Sequence, residues 1–263
     1  MSIDRVSMLE CSAISKHFGA LRAVHDVSFV VHEGETVGIG GPNGAGKTTM
    51  FDVISGLQKA TSGSVRLAGE DVSNQPAEAL CHRGIARTFQ LNAAFESMTA
   101  LENVRVAAYF GRRTALAPGL WFDTASRERA YEALDRVGMA RKAEQVVGSM
   151  PVLDRKLVML AGALVTKPRL LMMDEPVGGL TPPEMALFEK VIRDVRSEGV
   201  TLVLIEHVMK FLLRLVDRML IMHQGELIFD GSKDKMLANR KVVEVYLGGR
   251  TADALLKDKE VSA

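Results

Sequence analysis

Residues 41–49 read Gly41-Pro42-Asn43-Gly44-Ala45-Gly46-Lys47-Thr48-Thr49 and match the phosphate-binding loop pattern G-x-x-x-x-G-K-[ST]. The run follows an apolar, strand-like stretch over 36–40 and precedes a helical one, which is the context this loop requires. Glycines let the backbone curl so that successive N–H groups point at phosphate oxygens, and the positive end of the helix adds to their field. Lys47 adds a full charge, and the Thr48 hydroxyl can bind Mg²⁺. The sequence therefore predicts that all nine residues contact a nucleoside triphosphate.

Composition narrows the function classes. The chain has 263 residues and a formal net charge of +1, so it lacks the basic excess of nucleic-acid binders. The longest apolar stretch, 157–165, falls short of the ~20 residues needed to cross a bilayer. The start of the chain lacks a basic segment followed by an apolar one, so we expect no secretory signal and a cytosolic location. Cys11 and Cys81 are too few for a disulfide framework and are interpreted as reduced thiols.

The first third of the chain is rich in strand signals. Runs of β-branched and apolar residues cover 8–14 and 23–31, and a third run covers 64–67 between two glycines. We expect these three runs to form a small antiparallel layer.

The middle of the chain, 91–165, changes to helical periodicity, with Ala130, Leu134 and Val137 on one face and Gly138 as a C-cap. Strand character then alternates with helices, which indicates a parallel sheet. The predicted strands of this sheet cover 169–173, 201–205 and 218–222.

One helix between these strands has well-marked ends. Thr181 and Glu184 form a capping box, and a glycine follows at 199. Its spacing predicts that Leu187, Val191 and Val195 face inward.

Two adjacent carboxylates, Asp174 and Glu175, end the apolar run over 170–173, and Pro176 breaks the strand behind them. Because parallel strands end at the ligand crevice, Asp174 can reach Mg²⁺ and Glu175 can polarise an attacking water. Solvated surface acids would not require the preceding apolar run. The pair predicts hydrolysis of the bound nucleotide.

From about 8 to 248 the chain resembles the nucleotide-binding subunits of ABC transporters, which bind ATP with Mg²⁺. The resemblance implies that Phe18 stacks on adenine, although a core phenylalanine is the alternative. It further implies that Gln90, in Arg87-Thr88-Phe89-Gln90, senses Mg²⁺ and the attacking water, and that His207 is the switch histidine beside the γ-phosphate. The implied catalytic residues are thus Glu175, His207 and Gln90, and the implied metal ligands are Thr48, Gln90 and Asp174.

The implied fold is α/β: a P-loop NTPase (RecA-like) parallel sheet with an antiparallel β subdomain and a helical subdomain. On this basis residues 1–249 form a single ABC ATPase domain. The core with the β subdomain covers 1–90 and 166–249, the helical subdomain covers 91–165, and 250–263 form a C-terminal tail.

The chain departs from the family at the signature that normally reads Leu-Ser-Gly-Gly-Gln. Counting back from Asp174, this position holds Met150-Pro151-Val152-Leu153-Asp154. Side chains at both glycine positions keep a phosphate away, Pro151 lacks an N–H, and Asp154 adds negative charge. Gly162 stands where the family commonly has an arginine. We expect this chain to work beside a second, different ATPase subunit with an intact signature, unless the register is misplaced.

Within the family the chain is similar to the ATP-binding subunits of branched-chain amino acid importers. Such systems have permease subunits in the membrane, two different ATPases and a periplasmic solute-binding protein. The resemblance implies that the chain lies on the inner face of the cell membrane and that 91–98 docks on the permease, although Leu91, Ala93, Ala94 and Phe95 could equally be core. The resemblance rests on stretches at 18–24, 84–90, 101–104 and 245–248.

Alternative functions remain open. Importers for urea, short amides or aromatic acids share the same pattern, because the cargo does not touch this subunit. A soluble ABC ATPase without a transporter, or a regulatory subunit that does not hydrolyse ATP, are further alternatives. The intact Lys47, Asp174, Glu175 and His207 argue against the regulatory alternative.

Overall fold

The computed structural model describes residues 6–88, 94–111, 124–239 and 242. Strands are β1 (Ser7–Phe18), β2 (Leu21–His32), β3 (Thr36–Gly40), β4 (Ser62–Leu67), β5 (Glu70–Asp71), β6 (Ile85–Thr88), β7 (Leu170–Asp174), β8 (Thr201–Ile205), β9 (Arg218–His223) and β10 (Glu226–Ser232). Helices are α1 (Lys47–Ile54), α2 (Ala77–His82), α3 (Ala100–Phe110), α4 (Thr124–Arg136), α5 (Val152–Leu164), α6 (Pro182–Ser197), α7 (Met209–Leu215) and α8 (Lys233–Ala238).

The chain divides into two compact units. The first comprises Met1–Asn74 and Val203–Ala263, and the second Gln75–Leu202. The subdomain boundaries predicted at 90/91 and 165/166 differ from these limits and stay a prediction. The predicted tail and the stretch at 245–248 lie outside the described residues.

The first unit contains the predicted antiparallel layer, in the order β2-β1-β4-β5. Leu9 lies opposite Val31 on one side and Leu67 on the other, and all three are buried. Along the centre of β1, Leu9 and Cys11 are buried while Glu10 and Ser12 are only half-buried, as expected for a sheet with one covered face. The predicted antiparallel layer is confirmed, with strands longer than predicted.

In a second sheet, the strands β10, β9, β3 and β8 are neighbours in that order. β3 is parallel to β9, with Val37 opposite Arg218, and every residue of β3 is buried. Buried parallel strands have continuous apolar sequences, which is why 36–40 and 218–222 could be predicted as strands. β10 pairs antiparallel with β9 and was not predicted.

In the second unit, β6 pairs in parallel with β7, and helices α3, α4 and α5 pack on one another. Ala130, Leu134 and Val137 are buried and Gly138 has a φ of 76°, which confirms the predicted face and C-cap. β6 was not predicted, since its Arg87 interrupts a run of only four residues.

Helix α6 corrects one expectation. The predicted capping box is present, with the Thr181 N–H donating to the Glu184 carboxylate at 2.8 Å. The inward face, however, is formed by Phe188, Ile192 and Val195, while Leu187 is 59% exposed. The prediction for Leu187 was wrong because the larger Phe188 and Ile192 take the core side, which turns the helix by one residue.

Candidate functional site

The 41–49 loop connects the buried end of β3 to the first turn of α1. Helix α1 begins at Lys47, and its N-cap Gly46 has a left-handed φ of 97°. The first turn of α1 contains no acidic residue. The amide N–H groups and the positive end of this helix therefore remain suited to an anion.

Two glycines of the loop lie against neighbouring backbone. A Cβ added to Gly41 would be 2.1 Å from the carbonyl oxygen of Met222, and one added to Gly46 would be 2.3 Å from that of Ala23. Real Cβ atoms do not come that close to backbone oxygens, so only glycine fits at both positions. The backbone of β2 and β9 therefore holds the loop in a shape that any residue larger than glycine at position 41 or 46 would disrupt.

Lys47 is held by the loop it belongs to. Its ammonium group donates to the carbonyl oxygens of Gly41 at 2.8 Å and Pro42 at 2.9 Å, and the residue is only 6% exposed. Asn43 and Thr48 are exposed. The loop therefore carries one enclosed positive charge and an accessible hydroxyl, the groups that a phosphate and a hard cation require.

Phe18 ends β1 and is 47% exposed, so the interpretation of it as a core residue was wrong. The Lys16 ammonium lies 4.9 Å from the centre of its ring, a cation–π contact. The turn after Phe18 leads into β2, whose Ala23 carbonyl meets Gly46. An exposed ring on the strand pair that touches the loop is a suitable platform for a base.

His207 is exposed and follows β8 in the first unit. Its backbone N–H donates to the carboxylate of Glu206 at 3.0 Å, and Glu206 is 1% exposed. The buried Glu206 fixes the start of the turn that presents the imidazole. Sequence reasoning missed Glu206, which directly precedes the predicted histidine.

In the second unit, Asp174 ends β7, all five residues of which are buried. Its carboxylate forms an ion pair with the Arg87 guanidinium at 3.1 Å, and both side chains are 6% exposed. Arg87 was not predicted as a site residue. Nothing local in the sequence pairs it with Asp174, since the two residues are far apart along the chain.

Glu175 has a φ of 50°, in the left-handed region that non-glycine residues rarely adopt. Its carbonyl oxygen accepts from Lys156 Nζ at 3.1 Å and from the Gly178 N–H at 3.3 Å. Lys156 lies on α5 and is 9% exposed. The backbone that carries the predicted base is therefore fixed by a helix outside its own strand.

The substituted signature forms the start of α5. Pro151 is the N-cap, and Asp154 lies in the first turn, 7% exposed. The Asp154 carboxylate forms an ion pair with Lys142 Nζ at 2.5 Å. Arg155 closes the segment by donating to the carbonyl oxygens of Met150 at 2.9 Å and Gly148 at 2.6 Å. The positive end of this helix is compensated by an internal carboxylate.

The predicted site residues thus fall in both units. The loop, Phe18 and His207 belong to the first unit, and Asp174 and Glu175 belong to the second. Gln90 lies outside the described residues.

Comparison with known proteins identifies the family. A family model described as "ABC transporter" matches residues 24–178. The high-affinity branched-chain amino acid transport ATP-binding protein BraF of Pseudomonas aeruginosa is 36% identical over 249 residues, covering 92% of this chain and 98% of BraF. No helix among the described residues is both long and apolar enough to cross a membrane.

Solved structures agree. A nucleotide-free ATP-binding cassette from an ABC transporter has a TM-score of 0.84 at 29% identity, covering 91% of this chain and 98% of that one. The ADP conformation of an ATP-binding cassette has a TM-score of 0.83 at 30% identity, covering 92% and 99%. The predicted fold class is confirmed. The chain therefore belongs to the ABC transporter family and has the fold of its ATP-binding cassettes.

Proposed function

We propose that this chain is the ATP-binding and ATP-hydrolysing subunit of a membrane importer. The observation that carries the proposal is the 41–49 loop, in which Gly41 and Gly46 fit against backbone and Lys47 is enclosed at 6% exposure. The amides of α1 and the Lys47 charge grip the phosphates, and Phe18 receives the adenine ring.

Mg²⁺ fits the donors that the chain offers. Mg²⁺ takes oxygen ligands and usually few protein side chains, the rest being phosphate oxygens and water. The Thr48 hydroxyl and the Asp174 carboxylate are such donors, and no group of three or more His, Cys, Asp or Glu that could hold a metal occurs within the described ranges. We assign the metal to Thr48 and Asp174, with Gln90 as a third ligand. When bound, the cation neutralises charge on the phosphates.

Hydrolysis requires a base and stabilisation of charge. Glu175 is the proposed base that accepts a proton from the attacking water, and His207 contacts the γ-phosphate. Phosphoryl transfer depends mainly on positioning, which the fixed backbone of Glu175 provides. The products are ADP and phosphate.

Glu175→Gln in the full transporter complex tests this assignment. Because removing a general base costs roughly a hundredfold or more in rate, we expect transport and ATPase activity to be abolished while ATP binding persists. Glu144→Gln is the matched control, since Glu144 is 68% exposed and its pairing with Arg127 at 3.5 Å contributes little. Unchanged transport in Glu175→Gln would instead favour a regulatory subunit.

We propose branched-chain amino acids as the cargo, delivered by a periplasmic solute-binding protein to membrane permeases. Support comes from the name of BraF and from its coverage of nearly the whole chain. The chain then lies in the cytoplasm on the inner face of the cell membrane. Uptake of leucine, urea, an amide and an aromatic acid by the complex distinguishes this cargo from its alternatives. Any result other than uptake of leucine alone would contradict the proposal.

The permease docking surface is proposed at 91–98. Phe95 is 52% exposed, which argues against a core role for this residue, and Ala94 is half-buried. Leu91 and Ala93 lie outside the described residues. A cysteine at Phe95 should crosslink to the permease in the complex, whereas one at Phe110, also 52% exposed, should not.

A second, different ATPase subunit is proposed as the partner that completes the ATP site of this chain. The start of α5 supports this asymmetry, because Pro151 has no N–H to donate and Asp154 is already paired with Lys142. A phosphate held by the partner would meet a carboxylate there. One composite site is then active and the other is impaired.

Restoring the signature tests the asymmetry. The chain carrying Pro151→Ser, Val152→Gly, Leu153→Gly and Asp154→Gln should gain ATPase activity without its partner, while the unaltered chain alone should have little. Wild-type activity of the isolated chain equal to that of the heteromer would refute the proposal.

A further inference from the structure

A buried ion pair joins the two parallel strands of the second unit. Arg87 lies in β6 and Asp174 ends β7, and their charged groups are 3.1 Å apart with both side chains 6% exposed. The strand register places Thr88 opposite Met173, so the Arg87 side chain reaches toward the end of β7. The guanidinium is permanently charged and presents a planar fork of donors.

We propose that Arg87 is a positioning residue that orients the Asp174 carboxylate for the metal that accompanies ATP. This inference rests on the proposed function, which assigns a metal-binding role to Asp174. Ligating carboxylates are commonly hydrogen-bonded by a second residue that fixes their orientation and basicity. Arg87 makes such a contact with Asp174, since its guanidinium donates to the carboxylate at 3.1 Å.

Stability alone is a weak explanation of this pair. Removing two charges from water costs about as much as their attraction returns, and buried pairs can often be replaced by apolar residues without loss. Burying a carboxylate at the end of a strand that otherwise consists of Leu and Met costs free energy, which indicates that its charge has a function. The cost of burying a charge also explains the presence of Arg87, because a carboxylate at 6% exposure requires a partner.

Metal binding to the full chain with ATP tests the inference without relying on turnover. All variants carry Glu175→Gln to prevent hydrolysis, and Mn²⁺ is titrated at saturating ATP and detected by EPR. Arg87→Met should weaken Mn²⁺ binding by roughly tenfold to a hundredfold, the usual effect of losing a partner of a metal ligand. ATP affinity measured in EDTA should not change, because the 41–49 loop provides it.

Two further variants calibrate the result. Arg87→Lys retains the charge without the planar fork, so its Mn²⁺ affinity should lie between those of Arg87→Met and the parent. Arg136→Met removes an arginine from an exposed ion pair with Glu198 in the same unit, and should leave Mn²⁺ affinity unchanged.

Mn²⁺ binding in Arg87→Met as tight as in the parent would overturn the inference. An equal loss of ATP affinity in EDTA would also overturn it, since it would mark a purely structural role. If Arg87→Met does not fold, Arg87→Lys decides alone, and Mn²⁺ affinity equal to the parent's refutes the idea. A parent that binds no metal with ATP would instead refute the proposed function of Asp174.

Discussion

Replacing Lys156 by Met removes a charged donor from the backbone of Glu175. Lys156 Nζ lies 3.1 Å from the Glu175 carbonyl oxygen, and the residue is 9% exposed. A hydrogen bond to a charged group contributes ~1.5–3 kcal/mol, and Met conserves the apolar stem, so the free energy of unfolding should fall by about 2 kcal/mol. The carbonyl keeps the Gly178 N–H at 3.3 Å, so the chain should still fold.

The larger effect is expected on catalysis. The left-handed backbone of Glu175, with a φ of 50°, depends on its surroundings to persist. A misplacement of about 1 Å in a reacting group can cost about a hundredfold in rate, so kcat should fall roughly tenfold to a hundredfold. The KM for ATP should stay within about twofold, because the proposed phosphate contacts belong to the 41–49 loop.

The assay is steady-state ATPase activity of the assembled complex, with thermal unfolding of the isolated chain measured in parallel. Lys190→Met is the control, because Lys190 is exposed on α6. For a chain of this size the loss of stability corresponds to a fall in Tm of roughly 4–8 °C. A lowered Tm with an unchanged kcat would refute the role of Lys156 in holding Glu175, the proposed base, in place.

Three other experiments have defined outcomes. Gly46→Ala should abolish ATP binding in a filter assay, because its Cβ meets the Ala23 carbonyl at 2.3 Å, whereas Gly138→Ala, also at positive φ but with open space, should cost only ~1–2 kcal/mol of stability. If stacking contributes ~1–3 kcal/mol, Phe18→Ala should raise the calorimetric Kd for ATP by about fivefold to a hundredfold. The Kd for inorganic triphosphate, which has no base to stack, should change little. Burial raises the pKa of the Cys11 and Cys81 thiols, so iodoacetamide at pH 8 should label half-buried Cys81 slowly and Cys11 only in denaturant, as read by mass spectrometry.

Features that depend on neighbours in the chain could be predicted from the sequence. The 41–49 loop, the capping box of Thr181 and Glu184 and the buried strand before Asp174 each combine residue types within a few positions. Their physical causes are local: backbone shape, hydrogen bonds within a helical turn, and a continuous apolar run.

Features that depend on distant parts of the chain could not be predicted from the sequence. The pairing of Arg87 with Asp174 and the contact of Lys156 with the Glu175 carbonyl arise only when separate strands and helices pack together. The exposed face of Leu187 likewise depends on what α6 packs against, since periodicity alone fits a helix turned by one residue.

Glu96 is bonded to two residues at and just before the start of α5. Its carbonyl oxygen accepts from the Gly148 N–H at 2.9 Å, and its carboxylate pairs with Arg155 at 3.2 Å. Arg155 is adjacent on α5 to Lys156, which grips the carbonyl of Glu175. If the permease binds near Glu96, a displacement of Glu96 would reach the carbonyl of Glu175, the proposed base, through Arg155 and Lys156, which are adjacent on α5.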